Sequence, residues 1–229
     1  MTTFDDDNSI IFPCKAGCNN CELCSKIDGI IHSELKNKID DRIQEFRNID
    51  KANKDALFGE MCFCILTANF NAVRGIQIQK QLGTQISSLN QEELATKLKE
   101  LGYRFPNTRA NYIFEANKWY TKLESILFSY ALSDQKILRN WLAKNVKGLG
   151  LKEASHFLRN IGFDNCAIID FHIIDILVNH SLISKPKTLT QRKYEEIERV
   201  LENIAQLKEL TLAELDLVLW YLETGQILK

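Results

Sequence analysis

Lys152 and Asp170 are the residues of this sequence whose type and setting best suit covalent chemistry. Ala154, Phe157, Leu158 and Ile161 recur at helical spacing behind Lys152, which puts its amine in the first turn of a helix. The macrodipole there disfavours the protonated form, so the amine gains nucleophilic character. Asp170 follows the apolar run Ala167-Ile168-Ile169 and precedes Phe171-His172-Ile173, the position of a helix N-cap. A carboxylate fixed there can assist deprotonation of an amine and stabilise developing positive charge. Each residue also has a plainer reading, since a lysine near a turn can simply contact phosphate and an aspartate can simply cap. It is the pairing that points to chemistry.

Two helical patterns flank the tight hairpin Val146-Lys147-Gly148-Leu149-Gly150, giving a helix–hairpin–helix at about 139–161. The glycines Gly148 and Gly150 permit positive φ and close approach of a phosphate, and the free N–H groups opening the next helix face that anion. Lys147, Gly148 and Gly150 are therefore expected to hold a nucleic-acid backbone without reading its sequence. Charge agrees: Lys136, Arg139, Lys144, Lys147, Lys152 and Arg159 stand against only Asp134 and Glu153 from Asp134 to Arg159. The alternative is an ordinary αα-corner beside a solvated helix face.

These residues need a frame. The chain has 229 residues, 45% hydrophobic and 26% charged, with 3 prolines and 10 glycines, and its apolar residues recur every three or four positions. That pattern predicts an all-α protein with helices near 33–47, 54–68, 71–81, 90–100, 107–127, 134–145, 151–161, 171–180, 190–207 and 211–223. Gly162 and Gly225 are placed to end helices in left-handed conformation. Two helical lobes are expected, one before the hairpin and one after it, with the site in the cleft between them. No run of eighteen apolar residues and no signal-peptide start are present, so an intracellular location, cytoplasmic or at the nucleoid, is expected, with no membrane partner. The net charge of −1 gives no global pull toward DNA. Cys62, Cys64 and Cys166 lie in apolar runs and read as core residues.

In these features the chain resembles the helix–hairpin–helix DNA glycosylases, which carry a Lys in the helix after a Gly-x-Gly hairpin and an Asp at the spacing that separates Lys152 from Asp170 here. More narrowly, KGLGLKEASHFLRNIG with IIDFH, FCILTANF, GYRFPNTRANYI and the terminal Lys229 are similar to the archaeal-type second family of 8-oxoguanine DNA glycosylase/AP lyases, over roughly residues 33–229. The resemblance implies an all-α, two-lobed helix–hairpin–helix DNA glycosylase fold. It implies that Lys152 attacks C1′ of a flipped nucleotide, that Asp170 supports this step, and that β-elimination then breaks the strand. The terminal carboxylate of Lys229 would read the damaged base, because 8-oxoguanine carries an N7–H donor where guanine has an acceptor. Trp220 and Phe105 would stack on the base. Asn69 and Arg104 would contact the opposite strand or the backbone, and His172 a phosphate or the pocket; His156 matches the family's residue types and is assigned no proton transfer. The implied partner of this monomer is double-stranded DNA bearing an oxidised guanine or an abasic site. No cofactor is needed for the glycosylase chemistry.

The run Pro13 to Cys24 stands outside that resemblance. Cys14, Cys18, Cys21 and Cys24 are spaced closely enough to wrap one ion, and both a [4Fe–4S] cluster and a zinc ion fit four thiolates. Residues 1–32 are accordingly expected as a Cys-rich, irregular extension, and 33–229 as the helical glycosylase/AP lyase domain. Radical-SAM spacing is also present, but no strand–helix barrel pattern follows it. Rival readings are a glycosylase for other oxidised bases, a non-catalytic helix–hairpin–helix DNA-binding protein, and a small electron carrier; the last leaves most of the chain without a role.

Overall fold

The computed structural model describes residues 21–131 and 134–229. Among the described residues there are twelve α-helices and no strand. They are α1 (Glu22–Ile31), α2 (Leu35–Arg47), α3 (Lys54–Thr67), α4 (Ala72–Leu82), α5 (Gln91–Glu100), α6 (Pro106–Ala116), α7 (Leu123–Ala131), α8 (Gln135–Asn145), α9 (Leu151–Asn160), α10 (Phe171–Asn179), α11 (Gln191–Leu207) and α12 (Leu212–Thr224). Most starts are marked by side-chain caps, among them Asn53, Asn71, Asn90, Asp134, Asp170, Thr190 and Thr211. Gly162 and Gly225 both take positive φ at helix ends, as expected.

Three expectations fail for physical reasons. The single helix predicted over 107–127 is interrupted by a 3-10 turn at Asn117–Trp119, where the Trp119 indole N–H reaches the Asn145 carbonyl at 3.3 Å. The segment through Cys24, expected to be irregular, turns helical at Glu22. Cys21 caps α1, its sulfur accepting the Cys24 N–H at 3.2 Å, and Leu23, Ile27 and Ile30 give α1 a buried apolar face. Finally, the lobes do not divide at the hairpin. One core gathers α3 through α9, with Leu57, Phe63, Leu98, Ile113, Leu142 and Phe157 inside. The other joins α1 and α2 to α10, α11 and α12 through Leu23, Ile39, Phe46, Ile173, Leu201 and Leu217. Helical period shows that α2 has an apolar stripe but not which partner covers it. That partner is α12.

The two cores meet across a belt of ion pairs. Arg139 of α8 reaches Glu198 of α11 at 2.5 Å, with side-chain exposures of 0% and 2%. Glu198 Oε1 also accepts the Ala167 N–H at 2.9 Å. Lys136 pairs with Glu202, and Arg159 of α9 pairs with Asp216 of α12. Three of the six basic residues counted above toward DNA binding are therefore held against acids of the other lobe. Lys144 and Lys147 remain exposed, and Lys152 is half-buried.

Candidate active site

The hairpin places Lys152 with one glycine in a conformation that other residues rarely adopt. Gly148 has φ +93°, and a Cβ there would stand 2.9 Å from the Tyr112 ring, so both backbone shape and packing require glycine. Gly150 differs from expectation: its φ is −93°, it precedes α9 as N-cap, and its N–H is taken by the Glu153 carboxylate at 3.2 Å. Lys152 follows in the first turn of α9 and lines a cavity of about 850 Å³.

Asp170 lines the same cavity. Its Oδ1 accepts the Ile173 N–H at 3.1 Å, so it caps α10 as the sequence suggests. The extended run before it is pinned from behind by Tyr194, whose hydroxyl donates to the Ala167 carbonyl at 2.6 Å and accepts the Ile169 N–H at 3.2 Å. Ser155 Oγ lies 3.3 Å from the same hydroxyl, which ties this run to the helix that bears Lys152. Burial pushes the Tyr194 hydroxyl's pKa up, so it remains a neutral donor.

Further titratable groups surround the pair. Burial raises the Asp216 carboxyl, and the charge of Asp170 raises it further, while Arg159 opposes both. His156, one turn after Lys152, is only 8% exposed and packs edge-on against Phe63 with centroids 5.6 Å apart. Burial, followed by the charges of Arg159, Lys152 and Lys229, holds its imidazole well below the usual pKa.

The far wall is aromatic and ends in the C-terminus. Trp220, Leu228 and Lys229 line the cavity together with His172, whose ring meets Trp220 edge-on at 5.5 Å. His172 Nδ1 also lies 3.5 Å from Glu223. Phe171, 65% exposed, stacks on His172 at 4.0 Å at the cavity mouth. The Lys229 ammonium is 2.6 Å from Glu60 Oε1.

Lys152, Asp170, Lys229, Trp220, Asn69 and His172 thus share one cavity. Phe105 and Arg104 are not part of its lining; they stack on each other at 4.9 Å outside it, with Phe105 49% exposed. The GYRFPNTRANYI segment contributes from behind instead. Tyr103 donates to the Leu66 carbonyl at 2.5 Å and Arg109 to the Ala68 carbonyl at 2.6 Å, fixing the turn at Asn69. Asn69 takes φ +56°, which asparagine tolerates better than most residues. Lys147 and Gly148 lie on the hairpin, where the lysine ammonium is 5.9 Å from the Tyr112 ring.

Cys14 and Cys18 lie outside the described residues, and no group of three or more metal-binding side chains occurs among the described ones. Of the other two, Cys21 is partly buried and Cys24 fully buried. Cys62, Cys64 and Cys166 are core residues whose thiols burial pushes up, that of Cys166 to about 12. Sequence reasoning missed Glu60 and Asp216. Each sits among apolar neighbours in its helix, which is a signal for a buried, partnered acid but names no partner.

The family model described as 8-oxoguanine DNA glycosylase matches residues 39–210. A Methanocaldococcus jannaschii protein named 8-oxoguanine DNA glycosylase/AP lyase is 48% identical over 90% of this chain and 99% of its own length. A Korarchaeum cryptofilum protein of the same name is 49% identical over 91% of this chain and 98% of its own. The crystal structure of the M. jannaschii protein in complex with a 15mer DNA containing 8-oxoguanine matches with a TM-score of 0.85 and 48% identity, over 90% of this chain and 99% of that one. With the hairpin, the Lys152–Asp170 cavity and these matches together, the chain belongs to the 8-oxoguanine DNA glycosylase family.

Proposed function

We propose that Lys152 is the nucleophile and Asp170 its electrostatic partner in an enzyme that removes 8-oxoguanine from double-stranded DNA and then cuts the strand. The chain is a DNA glycosylase and AP lyase, as its close relatives are named. The observation that carries the residue assignment is that one cavity is lined by the helix-start lysine, the capping carboxylate and the chain's own last residue.

The damaged base must leave the duplex stack, at a cost of a few kcal/mol, before C1′ can be reached. Trp220 offers a face for stacking that offsets this cost. The deprotonated Lys152 amine bonds to C1′, the bond from C1′ to the base breaks, and the base departs after taking up a proton. Asp170 stabilises the positive charge that develops on the sugar. Loss of the amine proton and ring opening leave a Schiff base. Removal of a C2′ proton then expels the 3′ oxygen, and the strand breaks. The terminal carboxylate of Lys229 accepts a hydrogen bond from N7–H of 8-oxoguanine, a donor that guanine lacks. Lys147 with the Gly148 turn holds the backbone nearby, and Asn69 and His172 contact the strand at the cavity mouth.

The N-terminal cysteines are a second element of this reading. Cys14, Cys18, Cys21 and Cys24 would hold a [4Fe–4S] cluster or a zinc ion, outside the glycosylase chemistry. The donation from Cys24 N–H to Cys21 Sγ is a contact compatible with a thiolate ligand. The direct test of substrate class is release of base from duplexes carrying 8-oxoguanine or an oxidised pyrimidine. Faster release of the purine supports the reading, and faster release of the pyrimidine overturns it.

A further inference from the structure

Lys229 is held by its side chain at a point behind the cavity wall. Its ammonium lies 2.6 Å from Glu60 Oε1 and 4.6 Å from the centroid of the Phe63 ring. Glu60 belongs to α3, is 8% exposed, and is not part of the cavity lining. Two further donors fix it: Gln79 of α4 reaches Oε1 at 3.0 Å, and Asn160 of α9 reaches Oε2 at 3.0 Å. Asn160 is oriented in turn, because its Oδ1 accepts from Arg159 Nη2 at 3.0 Å. A carboxylate this deep is costly unless each oxygen is paired. Here both oxygens are.

A chain end normally frays, and a frayed carboxylate cannot select between two bases. Tethering at the ammonium changes this. The α-carboxylate then moves only through the torsions of one side chain whose far end is fixed by a charge-assisted hydrogen bond and an aromatic face. The main chain of Lys229 lies beside His156, whose neutral ring adds no competing charge.

We infer that Glu60, oriented by Asn160 and Gln79, is a positioning residue that anchors the Lys229 ammonium and thereby aims the terminal carboxylate at the base pocket. This makes lysine at the chain end a requirement of specificity, and it rests on the terminal-carboxylate reading given above.

The test compares 8-oxoguanine excision with cleavage at a preformed abasic site for native protein, Glu60→Gln, Lys229→Gln, the double variant, and a chain extended by one residue past Lys229. Glu60→Gln keeps the shape of the side chain while removing the charge and replacing one of the two acceptor oxygens with an amide nitrogen. It is expected to lower excision about tenfold more than it lowers abasic-site cleavage, the scale of one charge-assisted hydrogen bond. Lys229→Gln is expected to match it, and the double variant to be no worse than the poorer single. Should Glu60→Gln fail to fold, Lys229→Gln, which alters only the last residue, carries the same expectation. Additive losses, or equal loss of both activities, overturn the inference. The extended chain separates it from the underlying reading. Extension that leaves excision at the native level removes the terminal-carboxylate reading itself, whereas extension that impairs excision beside an unimpaired Glu60→Gln removes only the anchor.

Discussion

Arg139 and Arg159 are enclosed between the lobes and Lys136 is paired at the edge of the same belt, whereas Lys144 and Lys147, from the same stretch of chain, face solvent around the hairpin. The first group joins α8 and α9 to acids of α11 and α12. The second is left for an outside anion. A charge total along a sequence cannot separate these groups, because it ignores the acids that approach from fifty or more positions away, such as Glu198 and Asp216. Burial decides the consequence: an enclosed ion pair is costly to break, while an exposed cation acts mainly through salt-dependent attraction to phosphate.

Breaking the enclosed group has the largest effect. Arg139→Met leaves the buried Glu198 with Lys136, 3.6 Å away, as its remaining cation, so urea unfolding is expected to show a loss toward the lower end of about 3–5 kcal/mol. Adding Glu198→Met should recover much of it. A single-variant loss under about 1 kcal/mol, the scale of a surface pair, would mean that the belt is not a structural clasp. Next comes Tyr194→Phe, which orphans the Ala167 carbonyl and the Ile169 N–H. It is expected to cost about 1–3 kcal/mol and to slow excision as the run before Asp170 loosens. Stability loss with native excision would separate that run from the chemistry.

On the exposed side, Lys147→Ala is expected to weaken binding evenly across DNA sequences and to reduce the slope of log affinity against log salt by about 1. An unchanged slope would show that Lys147 meets no phosphate. The last effect is on pH dependence. The imidazole of His156 is held below its ordinary value by burial and then by Arg159, Lys152 and Lys229. The unfolded chain therefore takes up a proton near pH 6.5 that the folded chain refuses. The resulting stability is present above about pH 6.5 and drains as pH falls toward the folded value, by at most ~1.4 kcal/mol per pH unit. His156→Gln should flatten that slope between pH 7 and 5, measured by denaturant unfolding.

Features set by near neighbours in sequence were readable: the hairpin, the helix carrying Lys152, the Asp170 cap, and the glycine ends at Gly162 and Gly225. Lys229 in the cavity followed from family resemblance rather than from spacing. What could not be read required a distant partner. The stripe Ile39, Ile43 and Phe46 of α2 gives no sign that α12 will cover it, and the cations of α8 and α9 give no sign of their acids. Phe105 was expected against the base from the family resemblance, yet its ring lies outside the cavity lining and meets the Arg104 guanidinium there. In α1, cysteine spacing drew attention from Leu23, Ile27 and Ile30, which form an ordinary buried helix face.

The central claim is that Lys152 forms the covalent bond to DNA. Borohydride trapping on a duplex with one 8-oxoguanine tests it most directly, since reduction captures a Schiff base as a stable protein–DNA adduct. The account predicts an adduct with the native chain and none with Lys152→Gln at equal DNA binding; trapping that persists in Lys152→Gln would contradict it.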